Sequence, residues 1–501
     1  MKRITTLLLA AMFAVSGMMV AQASDSVDVK VRGAWDFAFG WAIHTGFTDK
    51  HDERQDDNFL AVQRVRTQVN FIVSENLQAV VQFEIGTGNW GRGANTAANN
   101  RGSYGRNSGF GLSADGVNLE TKHLYLDWMV PETALHIRMG LQPMLLPSLL
   151  GSTVLDDDLA AITASYPIND TFALTAFWGR PADHLGNDND VTAPAVGNVN
   201  HSLDDETDAF GLIAPITLDG VTITPWFMYA NIGSFALMPG GTNMNNNGDN
   251  TSNASAWWLG LVTEVTLYDP LTFGVEFLYG TTTRLTGYDT VAPGPGNQQS
   301  YSFKTSGWYI AANLDYALDW GTPGIFGWYS SGDDEGDVRD NKYGRILAVS
   351  PSFLGSTFAW DDVAVTTGDV LGVSNQGTWA IGIQIADMSF IEDLTHTLRF
   401  TYINGTNDPD IVRNARRGAG VNWDAAGFIN DMEFLGASGQ YMTTKDHAYE
   451  VTFDHRYQIY ENLAAVLELG YIHMDRSDSV WGRDFQDENA WKAQVWLQFR
   501  F

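Results

Sequence analysis

The stretch Trp491-Lys492-Ala493-Gln494-Val495-Trp496-Leu497-Gln498-Phe499-Arg500-Phe501 decides the fold. Its odd positions are all apolar, and its even positions are polar apart from Trp496. Side chains on a strand alternate faces with a period of two, so the stretch predicts a strand with one greasy and one wet face. A soluble fold can use such a strand once, over its core. Repeated along a chain that lacks long apolar runs, the pattern predicts a barrel with lipid outside and water inside.

The pattern does repeat. Val27, Val29, Val31, Trp35, Phe37, Phe39 and Trp41 alternate with polar residues that include Asp28, Lys30, Arg32 and Asp36. Val65, Val69 and Phe71 alternate with Arg64, Arg66, Gln68 and Asn70. Tight turns are predicted at Ser74-Glu75-Asn76, Pro131-Glu132-Thr133, Asp269-Pro270, Glu392-Asp393 and Glu461-Asn462, where proline and Asx residues suit the geometry. Between the hairpins lie long stretches rich in Gly, Asn, Asp and Ser, at 88–118, 181–206, 232–253, 282–304, 332–376 and 405–445. The expectation is an all-β transmembrane antiparallel barrel of about 18 strands (16 being the alternative), with short turns at one end and long loops at the other. Alternation is poorest near Phe210 and Ile325. A large soluble sandwich or propeller is the competing reading, but it does not account for outward aromatics and the terminal Phe501 together.

The beginning of the chain reads as an export signal. Lys2 and Arg3 precede an apolar stretch over 7–20 and the small-residue site Ala21-Gln22-Ala23. Residues 1–23 are therefore expected to be removed near Ala23, leaving 24–501 as one barrel domain. A retained membrane helix is the alternative, against which the stretch is short. No later run of about 18 apolar residues predicts a helical span. Cysteine is absent, so hydrogen-bond ladders and packing must hold the exported chain together. The formal net charge of −30 argues against nucleic acid and anionic lipid as partners and favours cations.

Taken together, these residues resemble the bacterial outer-membrane homotrimeric porins, most closely those of sulfate-reducing bacteria. The carriers are the terminal stretch, the segment Thr322-Pro323-Gly324-Ile325-Phe326-Gly327-Trp328-Tyr329-Ser330 and the order of hairpins. The resemblance implies a homotrimer in the bacterial outer membrane, passive diffusion of small hydrophilic solutes, and a third external loop folded into the pore. It also implies that Trp491, Val495, Leu497, Phe499 and Phe501 form the signal read by the barrel-assembly machinery.

The third long connection carries Pro143, Pro147 and Gly151 and leads into Asp156, Asp157 and Asp158. Arg64, Arg66 and Arg138, with Arg32 as a further candidate, fall on inward positions of nearby strands. Carboxylates facing guanidiniums across a narrow, water-filled gap set up a transverse field, and arginine keeps its charge at any working pH. The alternatives are arginines that pair with a neighbour such as Glu84, and aspartates at a solvated loop tip or helix cap. Asp333, Asp334, Glu335 and Asp337, beside glycines, could wrap calcium, although no downstream glutamate completes a helix–loop–helix motif. Asp188-Asn189-Asp190 and the run 245–250 are similar, and a hydrated acidic loop is the plainer reading. No other cofactor is expected.

Catalysis finds little support. The ten histidines are scattered, and no nucleophile or zinc-protease motif is present. The expectation is thus a non-enzymatic, weakly cation-selective diffusion channel. The alternatives are a substrate-specific channel for a sugar or organic acid, with Trp226, Trp258 and Trp496 as a stacking path, and a structural or adhesive surface barrel.

Overall fold

A computed structural model of the protein describes residues 27–43, 58–91, 110, 119–182, 206–233, 254–283, 285–289, 299–340, 342–353, 375–418, 441–482 and 488–501. The export signal, Asp188 to Asp190 and the run 245–250 lie outside them. The first half of the wall is β1 (Asp28–Ile43), β2 (Asn58–Ser74), β3 (Leu77–Asn89), β4 (Leu119–Met129), β5 (His136–Leu145), β6 (Asp156–Pro167), β7 (Ala173–Ala182), β8 (Thr207–Ile213 continued by Ile216–Leu218) and β9 (Val221–Ile232). The second half is β10 (Ala254–Tyr268), β11 (Leu271–Thr282), β12 (Gln299–Tyr316), β13 (Thr322–Ser330), β14 (Thr378–Ile391), β15 (Leu394–Gly405), β16 (His447–Tyr460), β17 (Leu463–Asp475) and β18 (Glu488–Arg500).

Each strand pairs antiparallel with the next, and β18 returns to β1 from Ala34↔Arg500 to Ile43↔Trp491. Gly33 N–H donates to the Phe501 carbonyl (2.7 Å) and Phe501 N–H to the Gly33 carbonyl (3.0 Å), so the last residue completes the seam. Eighteen strands, an even number, close into a barrel and leave no free edge. Among the described residues, two short segments stand outside the wall: Leu285–Asp289 extends the β11–β12 hairpin, and Lys342–Tyr343 runs parallel to Lys304 and Thr305. Among the same residues, three short helices, α1 (Glu335–Arg339), α2 (Pro409–Gly418) and α3 (Asp478–Trp481), sit in the long connections. No described helix is long and apolar enough to cross a membrane.

The two segments where alternation is poor are both wall strands. β8 is interrupted at Ala214-Pro215, because proline has no N–H to give the ladder. β13 has apolar residues on both faces: Ile325 and Tyr329 are exposed, whereas Phe326 and Trp328 are buried on the opposite face. Its inner face is covered, and that removes the need for polar residues there.

Elsewhere the outer face is apolar. Leu259, Leu261, Phe277, Ile310, Ile383, Phe400, Val451 and Leu497 are among its exposed residues. Aromatic pairs mark the loop-side margin: Trp41 with Phe59 (4.8 Å between ring centres), Trp257 with Tyr279 (5.2 Å), Trp308 with Tyr329 (4.8 Å) and Tyr471 with Trp491 (4.5 Å). Tyr268, Tyr316, Trp320, Phe390, Tyr460 and Phe501 mark the turn-side margin. Trp491 and Phe501 bracket ten residue steps of β18. At about 3.3 Å per residue and a tilt of about 45°, that corresponds to a band of about 23 Å, close to the apolar height of such barrels.

Candidate functional site

The inner face divides into two parts. On β16 to β18 and β1 to β5 it carries charges, several of them held by a neighbour. Arg64 and Arg500 both reach Asp36 (3.7 and 2.7 Å), and Arg66 binds Glu84 (2.7 Å). Arg138 and His136 share Asp127, at 3.0 Å for the arginine, whose guanidinium also lies over the Tyr125 ring (4.7 Å). The side chains of Arg66 and Arg138 stay 23% and 29% exposed, so they face water inside the wall.

On β7 to β13 the inner face is apolar and buried: Phe177, Ala209, Trp226, Met228, Ala256, Trp258, Leu278, Tyr309, Phe326 and Trp328. Inward glycines on adjacent strands receive the largest rings. A Cβ at Gly211 would meet Phe177, one at Gly260 would meet Trp226 and one at Gly382 would meet Phe326, each within about 2.2 Å. What covers this half is a shelf made from two connections. Residues 146–155, the third long connection, turn into the lumen, as the resemblance implies. Residues 344–353 of the seventh do so as well.

The two connections are zipped together. Val349 and Ser350 N–H donate to the Val154 carbonyl (2.8 and 3.0 Å), Asp156 N–H to that of Ser350 (2.7 Å), and Ser352 N–H to that of Ser152 (2.8 Å). Gly151 sits at φ 91°, and a Cβ there would meet the Ser352 carbonyl at 2.7 Å, so the close approach needs glycine.

The wall grips the shelf at three points. Trp226 Nε1 donates to the Pro147 carbonyl (3.1 Å), Trp258 Nε1 to the Leu347 carbonyl (2.8 Å), and Glu276 accepts from Leu149 N–H (2.7 Å). Glu276 is only 1% exposed, and its hydrogen bond offsets part of the cost of burying a carboxylate. These contacts correct one expectation. Trp226, Trp258 and Trp496 do face inward, but all three are buried, and Trp496 gives its N–H to Glu468 (3.1 Å). They anchor loops and wall, and leave no open faces for a stacking path.

The expected constriction residues are dispersed. Arg64, Arg66 and Arg138 lie on the inner wall as foreseen, each already paired. The register places Asp157 opposite Met144, on the face of the shelf, where it accepts from the Ser350 hydroxyl (2.8 Å). Asp156 and Asp158 pair with Leu145 and Pro143 in the register, and Asp158 binds Lys122 (2.5 Å) and His123 (2.9 Å) of β4, the latter beside Tyr125. The aspartate run is therefore divided between the shelf and the wall. Residues 344–353 and Glu276 were not foreseen. The apolar run Ile346-Leu347-Ala348-Val349, inside an otherwise polar connection, is the sequence signal that marks the second inward segment.

A cap lies at the loop end. Ile411 and Val412 of α2, Tyr441, and Val480 and Trp481 of α3 form a small apolar cluster, with Val338 of α1 packed against it. Asp333 is its polar hub: it binds Arg345 (3.0 Å), accepts from Gly344 N–H (2.9 Å) and accepts from the Tyr441 hydroxyl (3.4 Å). Burial, then the Asp333 charge, push the Tyr441 hydroxyl well above its usual range, so it remains a donor.

The other carboxylates singled out for calcium also have partners. Asp334 caps α1 by accepting from Gly336 and Asp337 N–H, Glu335 pairs with Arg339, and Asp337 lies near Lys342 (3.8 Å). Among the described residues no group of three or more histidine or carboxylate side chains converges as a metal site.

No protein-family model and no curated protein matches the chain. Solved structures with a similar fold include OccAB2 of Acinetobacter baumannii, 10% identical, with 95% of this chain and 98% of that chain covered and a TM-score of 0.48. OccK2 (OpdF) of Pseudomonas aeruginosa in complex with glucuronate gives the same figures of 10%, 95%, 98% and 0.48. OpdK of Pseudomonas aeruginosa with vanillate is 11% identical, with coverages of 95% and 98% and a TM-score of 0.46.

Proposed function

We propose that the chain is a porin of a bacterial outer membrane, passing small hydrophilic solutes by diffusion with a lean toward cations. One observation carries the reading: a closed wall, apolar outside, encloses a charged half-lumen that the shelf, among the described residues, leaves uncovered. A barrel buried in soluble surroundings gains nothing from an apolar exterior. In a bilayer that exterior is required, and the paired charges inside are solvated by pore water.

The cation lean rests on charge placement. Each of the eight short turns carries an exposed carboxylate: Glu75, Glu132, Asp170, Asp219, Asp269, Asp319, Glu392 with Asp393, and Glu461. None of these turns contains lysine or arginine. A one-sign ring at a pore mouth raises the local cation concentration, and the effect fades with salt. Inside, the arginines are matched by carboxylates, which keeps the preference weak.

Single-channel recording in planar bilayers tests the reading. Discrete steps and a reversal potential of cation-preferring sign are expected, whereas silence or anion preference refutes it. A substrate-specific channel is the second reading, favoured because the shelf confines solutes to the polar half of the wall. A homotrimer, implied by the resemblance, belongs to the same proposal, and the mass of the protein–detergent particle checks it.

A further inference from the structure

The inner wall formed by β15 to β18 holds a polar patch that the pairs described above do not use. Side by side across the register lie Arg399, Thr452, Gly470 and Lys492; one row toward the turns lie Thr397, Asp454, Glu468 and Gln494; one row toward the loops lie Thr401 and Glu450. Thr401, Thr452 and Gln494 are each 1% exposed. Among the described residues, the Thr401 and Thr452 hydroxyls, Asp454 Oδ1 and Gln494 Oε1 are buried polar atoms without a hydrogen-bond partner. Buried polar atoms are nearly always paired, with protein or with ordered water, so four orphans in one patch offer hydrogen bonds that a solute can take up.

The patch is also built to hold its shape. The Gln494 amide nitrogen donates to Glu468 Oε2 (3.0 Å), the atom that also accepts from Trp496 Nε1 (3.1 Å), which fixes the amide with Oε1 turned away from Glu468. Arg399 lies over the Phe326 ring (5.7 Å) and near Gln384 Oε1 (3.5 Å). Arg399 and Asp454 are only half-buried, so the patch opens along its turn-side edge.

We propose that this patch is a binding subsite for a neutral polyhydroxylated solute of monosaccharide size; the proposal rests on the channel reading and refines it. Two of the orphaned atoms only accept, and the two hydroxyls both donate and accept, which is the complement of a set of hydroxyls. Spread over four strands, about 4.8 Å apart, the atoms match groups distributed around a ring rather than one point charge. An anionic solute would meet Asp454, Glu450 and Glu468, and a cationic one would meet Arg399 and Lys492. A neutral polyol meets neither penalty.

The test uses the purified full chain in planar bilayers, with glucose, gluconate and glucosamine added to the turn side. Glucose is expected to reduce the open-channel current at the lowest concentration of the three. The double variant Thr452→Val with Gln494→Leu is expected to need about ten-fold more glucose, the loss of roughly one good hydrogen bond's worth of affinity. Its sugar-free conductance shows that it has folded and inserted. Thr401→Val alone, a smaller change, should shift the block in the same direction. Conductance that glucose leaves unchanged, tighter block by gluconate or glucosamine, or equal block of wild type and variants each overturns the subsite while leaving the channel intact. A protein that never conducts overturns the channel reading itself and the subsite with it.

Discussion

The two halves of the lumen are arcs of one wall built by opposite rules. On β7 to β13 the inner face is largely apolar, with Glu276 as a buried exception, and two connections are packed onto it. On β16 to β18 and β1 to β5 the inner face keeps polar alternation, and Asp36, Glu84 and Asp127 are tied to arginines on neighbouring strands. The first half spends its side chains on holding a shelf, and the second on facing water. The difference teaches that a pore can be narrowed without breaking its wall, by letting one arc of the barrel behave as a core.

Breaking the shelf should give the largest effect. Trp258→Ala removes the hydrogen bond to the Leu347 carbonyl and the ring filling the space beside Gly280 and Ile346. Truncations of buried aromatics cost about 3–5 kcal/mol, enough to free residues 344–353 from the wall. Single-channel conductance should rise and become noisy, and conductance equal to wild type would show that the shelf does not narrow the pore. Glu276→Ala should act in the same direction and less strongly. It strands the Leu149 N–H, an effect of about 1–3 kcal/mol, readable as current fluctuations with a smaller change in mean conductance.

The other half should respond more in selectivity than in stability. Arg66→Gln with Arg138→Gln removes two charges while the amide can still donate to the half of each pair that is buried, so the unfolding temperature should fall far less than for Trp258→Ala. The uncompensated Glu84 and Asp127 should strengthen cation preference, measured as a larger reversal potential. A large drop in thermal stability would instead place these pairs with the shelf as structural elements. Smallest is the change expected from Glu132→Gln with Asp319→Asn. Removing two charges of the ring should lower cation preference slightly in dilute salt and not at all near 1 M, where the Debye length is about 3 Å.

The same division explains what could be read in the sequence. Val65 to Phe71 and Trp491 to Phe501 announce themselves because one face meets lipid and the other water. Phe210 and Ile325 do not, because their strands lie on the covered arc, where Gly211, Phe326 and Trp328 need no polarity. The third connection was recognisable from its position and its prolines. The seventh was hidden, since Ile346 to Val349 is a short apolar run, and the surface it meets, at Trp258, Gly280 and Gly307, lies on strands earlier in the chain. Asp156 to Asp158 read as a row of three, but Asp157 turns to Ser350 on the shelf and Asp158 to Lys122 and His123 on β4. The arginines were found at the right positions, while their partners Asp36, Asp127 and Glu84 are neighbours only through strand register.

Everything rests on which face of each strand meets water. The chain has no cysteine, so single thiols can be placed on adjacent positions of β2 and exposed to a charged, membrane-impermeant reagent in lipid vesicles. Arg66→Cys and Asn70→Cys should be modified, and Val65→Cys and Val69→Cys should be protected. Equal labelling of the two sets, or the reverse parity, would contradict a lipid-facing exterior around a wet interior.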